Sequence, residues 1–214
     1  MDDGQLVRMS TLAEDIYQPR IAKGLVATLL RYTPTAKERF KDNVKETYLK
    51  TPLPRELLHD NPTPDYLENI VRESNLDNNT VQFETDEAVL VNEAKSITHV
   101  LSWLKIKGFG LSVSVKEKPD EILTLLHKLP IDDLTLNMAG DRVRAGQIDD
   151  AETEYQVASF VSYVSGVNLV ASVKNVLNAQ QIDFAKRCGF YRASGRFIRE
   201  PSSAEEIWEY FSKI

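Results

Sequence analysis

The second half of this chain alternates helix-forming and strand-forming segments in strict order, and that alternation restricts the fold more than any other feature. Val91 to Lys107 predicts a helix, because Ile97, Val100, Leu101 and Leu104 fall at helical spacing and share one face. Gly108 suits its end, since glycine tolerates left-handed backbone there. Phe109 to Val115 reads as an apolar strand. Pro119 fits the first turn of a further helix, with Asp120 and Glu121 near its positive end and Ile122, Leu123, Leu125 and Leu126 inward. After Leu129-Pro130 comes the strand "DLTLN", then a helix from about Asp150 to Tyr163 and the buried strand "VNLVASV". Asn178 can cap the next helix, which carries Ile182, Phe184, Ala185 and Cys188 and stops at Gly189. A short strand is expected around Phe190 and Tyr191. Ser203 to Glu206 has the form of a capping box and opens a last helix with Ile207, Trp208 and Phe211 inward.

The first half is less regular. "DIYQPRI" and "LVATLLRY" read as a pair of strands, Lys37 to Tyr48 as a charged, solvated helix, Pro64 to Ser74 as a helix and "TVQFET" as a strand. Repeated strand–helix units imply parallel strands, because each connection crosses back over the sheet. Without a glycine-rich dinucleotide turn, a (β/α) barrel is favoured over an open doubly wound sheet.

At 214 residues the chain suits one domain, 1–214, with a sizeable core. A net charge of −6 argues against nucleic-acid binding, which draws on a basic surface. Cys188 is the only cysteine, so no internal disulfide can form. With an acidic start, "MDDGQLVRMS", that lacks an apolar stretch, the expectation is a reducing cytoplasm. The uncharged run from Gln156 to Val173 is broken by serines and a turn at Ser165 to Asn168, so it reads as helix then strand and not as a membrane span. His59, His99 and His127 show no metal spacing, and Cys188 reads as a small buried hydrophobe. No Walker loop, nucleophile elbow, HExxH or CxxC occurs.

Spacing and motif carry the reading further. "YQPRI" followed by "ATLLRY", the strand end "FETDEAVL", and the gapless run "LKIKGFGLSVSVKEKPDEILTLLHKLPIDDLTLN" resemble the EAL-type cyclic di-GMP phosphodiesterases. The spacings from Ile182 to Gly189 and from Gly189 to Gly195 fit the same family. The resemblance implies a TIM-like (β/α) barrel of the EAL type, shortened in its first half between Tyr32 and Thr51. It puts the signature glutamate on Ala27, an asparagine metal ligand on Thr51, the paired aspartates on Ser114 and Val115, and the catalytic lysine on Thr135. A further acid falls on Ser172. Glu84 and Glu87 keep acidic positions, Glu84 that of a metal ligand, and Arg31 keeps that of an arginine that contacts a ligand phosphate.

Hard divalent cations need several oxygen ligands, mostly carboxylates, to clamp a phosphate and activate water. The expectation is therefore a chain with no catalytic residues, no metal and no cofactor, with Arg31 and Glu84 as vestigial candidates. Each has a plainer reading, Arg31 as a salt-bridged arginine and Glu84 as a polar strand end. Inactive members of this family act by contacting other proteins, so a protein partner is expected and cyclic di-GMP is not. The alternative is a sensor that binds the dinucleotide through a residual pocket including Arg31. The resemblance also allows a homodimer through Val115 to Leu126.

Overall fold

The computed structural model describes residues 19–32, 49–116, 122–139 and 151–203, together with Glu206 and Glu209. In chain order the elements are α1 (Pro19–Tyr32), β1 (Leu49–Pro52), α2 (Arg55–Leu58), α3 (Thr63–Glu73), β2 (Val81–Asp86), α4 (Glu87–Ile106) and β3 (Gly110–Val115), followed by β4 (Asp133–Asn137), α5 (Ala151–Gly166), β5 (Val170–Lys174), α6 (Ala179–Arg187) and β6 (Arg192–Ala193). All six strands are parallel and stand in the sheet in sequence order, β1 to β6. A doubly wound sheet would reverse its order partway. Sequential order is that of a TIM-like barrel, and the described strands make half-barrel architecture of that kind.

Helix ends deliver the chain into this sheet by one repeated device. Phe109 N–H reaches Leu104 O and Gly108 N–H reaches Lys105 O; Phe190 and Gly189 make the same pair of bonds to Ala185 and Lys186. These are Schellman closures, with Gly108 and Gly189 at positive φ as their spacing predicts. Asn75 and Asn168 close α3 and α5 in the same way. The caps at the other ends also follow the sequence. Asn178 accepts a bond from Gln181 N–H, and Ser203 and Glu206 exchange both bonds of a capping box.

Two expectations need correction. "LVATLLRY" is not a strand: it lies in α1, whose Ala22, Val26, Ala27 and Leu30 are buried on one helical face. In so short a segment the apolar positions fit both periods, and packing against α2 and α3 selects the helix. The strand expected at Phe190 and Tyr191 sits two residues later, at Arg192–Ala193, because Phe190 N–H is used to close α6. The helix expected over Lys37 to Tyr48, the start of the one at Pro119, and Ile207, Trp208 and Phe211 lie outside the described residues.

The core lies between the outer face of the sheet and its helices. Phe83, Leu111, Val113, Leu134 and Ala171 from the strands meet Leu57, Leu67, Val71, Ile97, Leu101 and Leu104 from the helices. Phe83 and Phe109 pack edge to face with centroids 5.1 Å apart, a geometry that adds about 1 kcal/mol to area burial. Residues between these in each strand point the other way, and they are polar.

Candidate site on the inner face

Register places the polar set on one surface. Glu84 stands beside Ser112 and Ser112 beside Asp133, while Ser114 stands beside Thr135, Thr135 beside Ser172 and Ser172 beside Arg192. Lys50 follows Leu49 on β1 and shares this face, whereas Thr51 is in register with Phe83 on the core side. The position that resemblance gives to an asparagine ligand therefore falls on the wrong face at Thr51, and Lys50 is the residue turned inward.

The surface is concave. Lys50 on β1 comes within 3.3 Å of Asp133 on β4, and Lys174 on β5 is bonded to Glu84 on β2. In a flat sheet each pair would be separated by three strand spacings, about 14 Å, beyond the reach of the side chains. The sheet must curl for these contacts to form.

Asp133 is the centre of the network and is 0% exposed. It accepts bonds from Ser172 Oγ at 2.7 Å, Thr135 Oγ1 at 2.8 Å and Ser112 Oγ at 3.2 Å. Lys50 Nζ and Arg192 Nη1 approach it at 3.3 and 3.4 Å from opposite edges of the sheet. Lys50 also donates to Ser112 Oγ at 2.9 Å and Thr135 Oγ1 at 2.7 Å, so a buried carboxylate is compensated by hydrogen bonds as well as charge. Glu84 lies nearer the strand C-termini, held by Lys174 and with Lys50 at 3.5 Å. Ser114 Oγ and Glu84 Oε2 are buried and have no hydrogen-bond partner among the described residues, Glu84 Oε2 meeting Lys50 only as an ion pair.

A cavity of about 470 Å³ opens over these residues at the C-terminal ends of β1, β2, β5 and β6. That is the end where barrels of this kind carry their sites. Lys50, Glu84, Thr135, Ser172, Lys174 and Arg192 line it, along with Ser194.

The structure thus gathers Glu84, Ser114, Thr135 and Ser172 onto one face, and it leaves Thr51, Val115, Ala27 and Arg31 elsewhere. Ala27 is buried in α1 and is not on a strand. Arg31, at the end of α1, is paired with Glu73 of α3 at 3.4 Å and its side chain is 61% exposed; it is not among the residues that line the mouth. Val115 belongs to the hydrophobic core. Among the described residues no group of three or more His, Cys, Asp or Glu side chains could hold a metal ion. His59 contacts Glu93, His127 contacts Tyr163 and His99 stacks edge-on against Trp103, all outside the mouth. Cys188 is buried, and burial raises its thiol pKa to about 11. No described helix is long and apolar enough to cross a membrane.

Fold and site define an α/β protein with parallel strands in barrel order and a polar trough that opens at the strand C-termini. The sequence matches the EAL domain family over residues 2–201, and the chain belongs to that family. No curated protein sequence matches it. Among solved structures it is similar to the PaMucR phosphodiesterase in complex with c-di-GMP, with a TM-score of 0.74 and 16% identity over 93% of this chain and 78% of that one. It is also similar to the EAL domain of Mycobacterium smegmatis DcpA, with a TM-score of 0.76 and 18% identity over 91% of this chain and 84% of that one. The EAL enzyme Bd1971 in its cAMP-bound form gives a TM-score of 0.82 at 14% identity over 99% of this chain, which spans 59% of that longer chain.

Proposed function

We propose that this EAL-domain chain is a regulator without phosphodiesterase activity, which acts by binding another protein and neither hydrolyses nor tightly binds cyclic di-GMP. The observation that carries this reading is the state of Glu84. The one carboxylate retained at a metal-ligand position is already engaged by two ammonium groups, Lys50 and Lys174. A divalent ion there would lose their favourable contacts and face their repulsion. The other oxygen-bearing side chains in the described lining are hydroxyls, Thr51, Thr135, Ser172 and Ser194, which are poor substitutes for carboxylates. The donor set does not fit a two-metal centre. PaMucR is described as a phosphodiesterase bound to c-di-GMP; at 16% identity that likeness transfers the fold and not the chemistry.

A sensor built on Arg31 has no comparable support, because Arg31 is engaged by Glu73 on the helical layer. Surface character favours a protein partner. Leu177, Tyr191, Phe197 and Ile198, from the segments around β6, are all about half exposed or more.

The test is a hydrolysis assay with magnesium and with manganese, alongside calorimetric titration with cyclic di-GMP. Neither linear product nor heat of binding is expected. Turnover, or binding at micromolar dinucleotide, refutes the reading. For the partner, Tyr191→Asp should release a protein that co-purifies with the wild type at fixed stoichiometry.

A further inference from the structure

We infer that Lys174 is the nucleophile of a carbonyl-binding site, where it condenses with a small hydroxylated aldehyde or ketone to form an imine. This rests on the reading above in one respect only, that no divalent ion occupies Glu84. Lys174 is the last residue of β5 and lines the mouth cavity of about 470 Å³. Among the described residues its ammonium touches Glu84 alone, whereas Lys50 is held by Ser112, Thr135, Asp133 and Glu84. Lys174 is therefore the lysine of the mouth that can turn onto a ligand without dismantling the network around Asp133. Hydroxyls in the lining select the ligand. Ser172 Oγ donates to Asp133, which leaves its lone pairs to accept from a ligand hydroxyl. Ser194 follows Ala193, the partner of Val173, and so comes beside Lys174 with a hydroxyl for the carbonyl oxygen.

Glu84 completes the chemistry, because a lysine amine attacks carbonyls only once it has lost a proton, and a base must stand within reach to take it. Glu84 is bonded to Lys174 Nζ and receives that proton. The nitrogen lone pair then adds to the carbonyl carbon, and the proton left on nitrogen passes to the oxygen, which gives a carbinolamine. Glu84 returns its proton to the carbinolamine hydroxyl, the C–O bond breaks, water leaves and the C=N bond forms. One ammonium and one carbonyl compound become one protonated imine and one water, with no change of oxidation state. An exposed lysine has neither the cavity nor the positioned acid, and Lys186, whose side chain is 72% exposed against 24% for Lys174, provides the comparison.

The experiment treats the whole chain in EDTA with glyceraldehyde and sodium cyanoborohydride, which reduces an imine to a stable secondary amine. Peptide mass spectrometry then locates the adducts over time. Lys174 is expected to be labelled about tenfold faster than Lys186, the reverse of their exposure. Glu84→Gln keeps the shape and removes the proton acceptor, so labelling of Lys174 should slow about a hundredfold while that of Lys186 stays the same. Unfolding would instead speed both, so a loss of structure cannot imitate the pattern. Lys174 labelled no faster than Lys186, or at the same rate in Glu84→Gln, overturns the inference. Fast labelling of Lys174 in EDTA that magnesium suppresses puts a metal on Glu84; that sinks the proposed function and leaves the imine of the metal-free chain standing.

Discussion

Lys50→Met tests whether the inner face is a charge network or a set of incidental contacts. Methionine keeps most of the volume and removes the ammonium. That ammonium reaches Ser112 at 2.9 Å, Thr135 at 2.7 Å, Asp133 at 3.3 Å and Glu84 at 3.5 Å, and methionine can replace none of these interactions. Removing one partner of a buried ion pair typically costs about 3–5 kcal/mol, mostly through the charge left behind. Two features bring the figure down here. The Lys50 side chain is 27% exposed, and Asp133 keeps Arg192 and three hydroxyl donors. A destabilisation of about 2–3 kcal/mol is therefore expected, or a fall in melting temperature of roughly 5–10 °C for a chain of this size. Urea unfolding should show the midpoint move with the slope unchanged, since the surface exposed on unfolding is the same. Asp133→Asn in the Lys50→Met background should restore part of the stability, with a coupling energy above about 1 kcal/mol. A destabilisation below about 0.5 kcal/mol, or strictly additive single variants, would refute the network.

Gly195→Ala should be among the most damaging single changes. Its φ is +152°, and an added Cβ would lie 2.2 Å from Val176 N, so a destabilisation of roughly 3 kcal/mol in chemical denaturation is expected. Asn178→Ala removes the side-chain acceptor of Gln181 N–H and should cost about 1 kcal/mol in the same assay. Cys188, with its thiol raised to about 11 by burial and then by Glu154, should resist iodoacetamide at pH 8 in the native state and react once unfolded. Lys107 is held above the ordinary lysine value by Asp65 and Glu68, at 2.8 and 2.6 Å. A raised pKa stabilises the fold below the unfolded value, and this contribution disappears as pH rises through the folded one. Lys107→Met should therefore flatten the fall in melting temperature above about pH 10.5.

The second half of the fold is legible in the sequence because its local signals agree with one another. Gly108, Gly189, Asn178 and the Ser203–Glu206 box each mark a helix end by a rule that needs no tertiary context, and each stands where its residue type requires. The first half is opaque where such punctuation is thin. "LVATLLRY" carries apolar residues at both strand and helix spacing, and only the faces of α2 and α3 decide between them. Because that segment is a helix, Ala27 and Arg31 belong to the helical layer and not to the sheet.

A different limit hides the ion network. The family resemblance draws attention to Ser114, Thr135 and Ser172, neutral residues where it implies charged ones. Lys50 and Lys174 hold no ligand position and pass unnoticed. Yet the signal is present in period two: Gln82, Glu84 and Asp86 on β2, Ser112 and Ser114 on β3, Asp133, Thr135 and Asn137 on β4, Ser172 and Lys174 on β5. Parallel strands covered on both faces by helices run almost continuously apolar. Strands that alternate this strictly must turn one face toward something polar, and in a curled sheet that something is the opposite wall. The pairing of Glu84 with Lys174 across three strands follows from that geometry. The inward lysines and the neutral Ser114, Thr135 and Ser172 together set the charge of the inner face, whose sign decides what can enter the mouth.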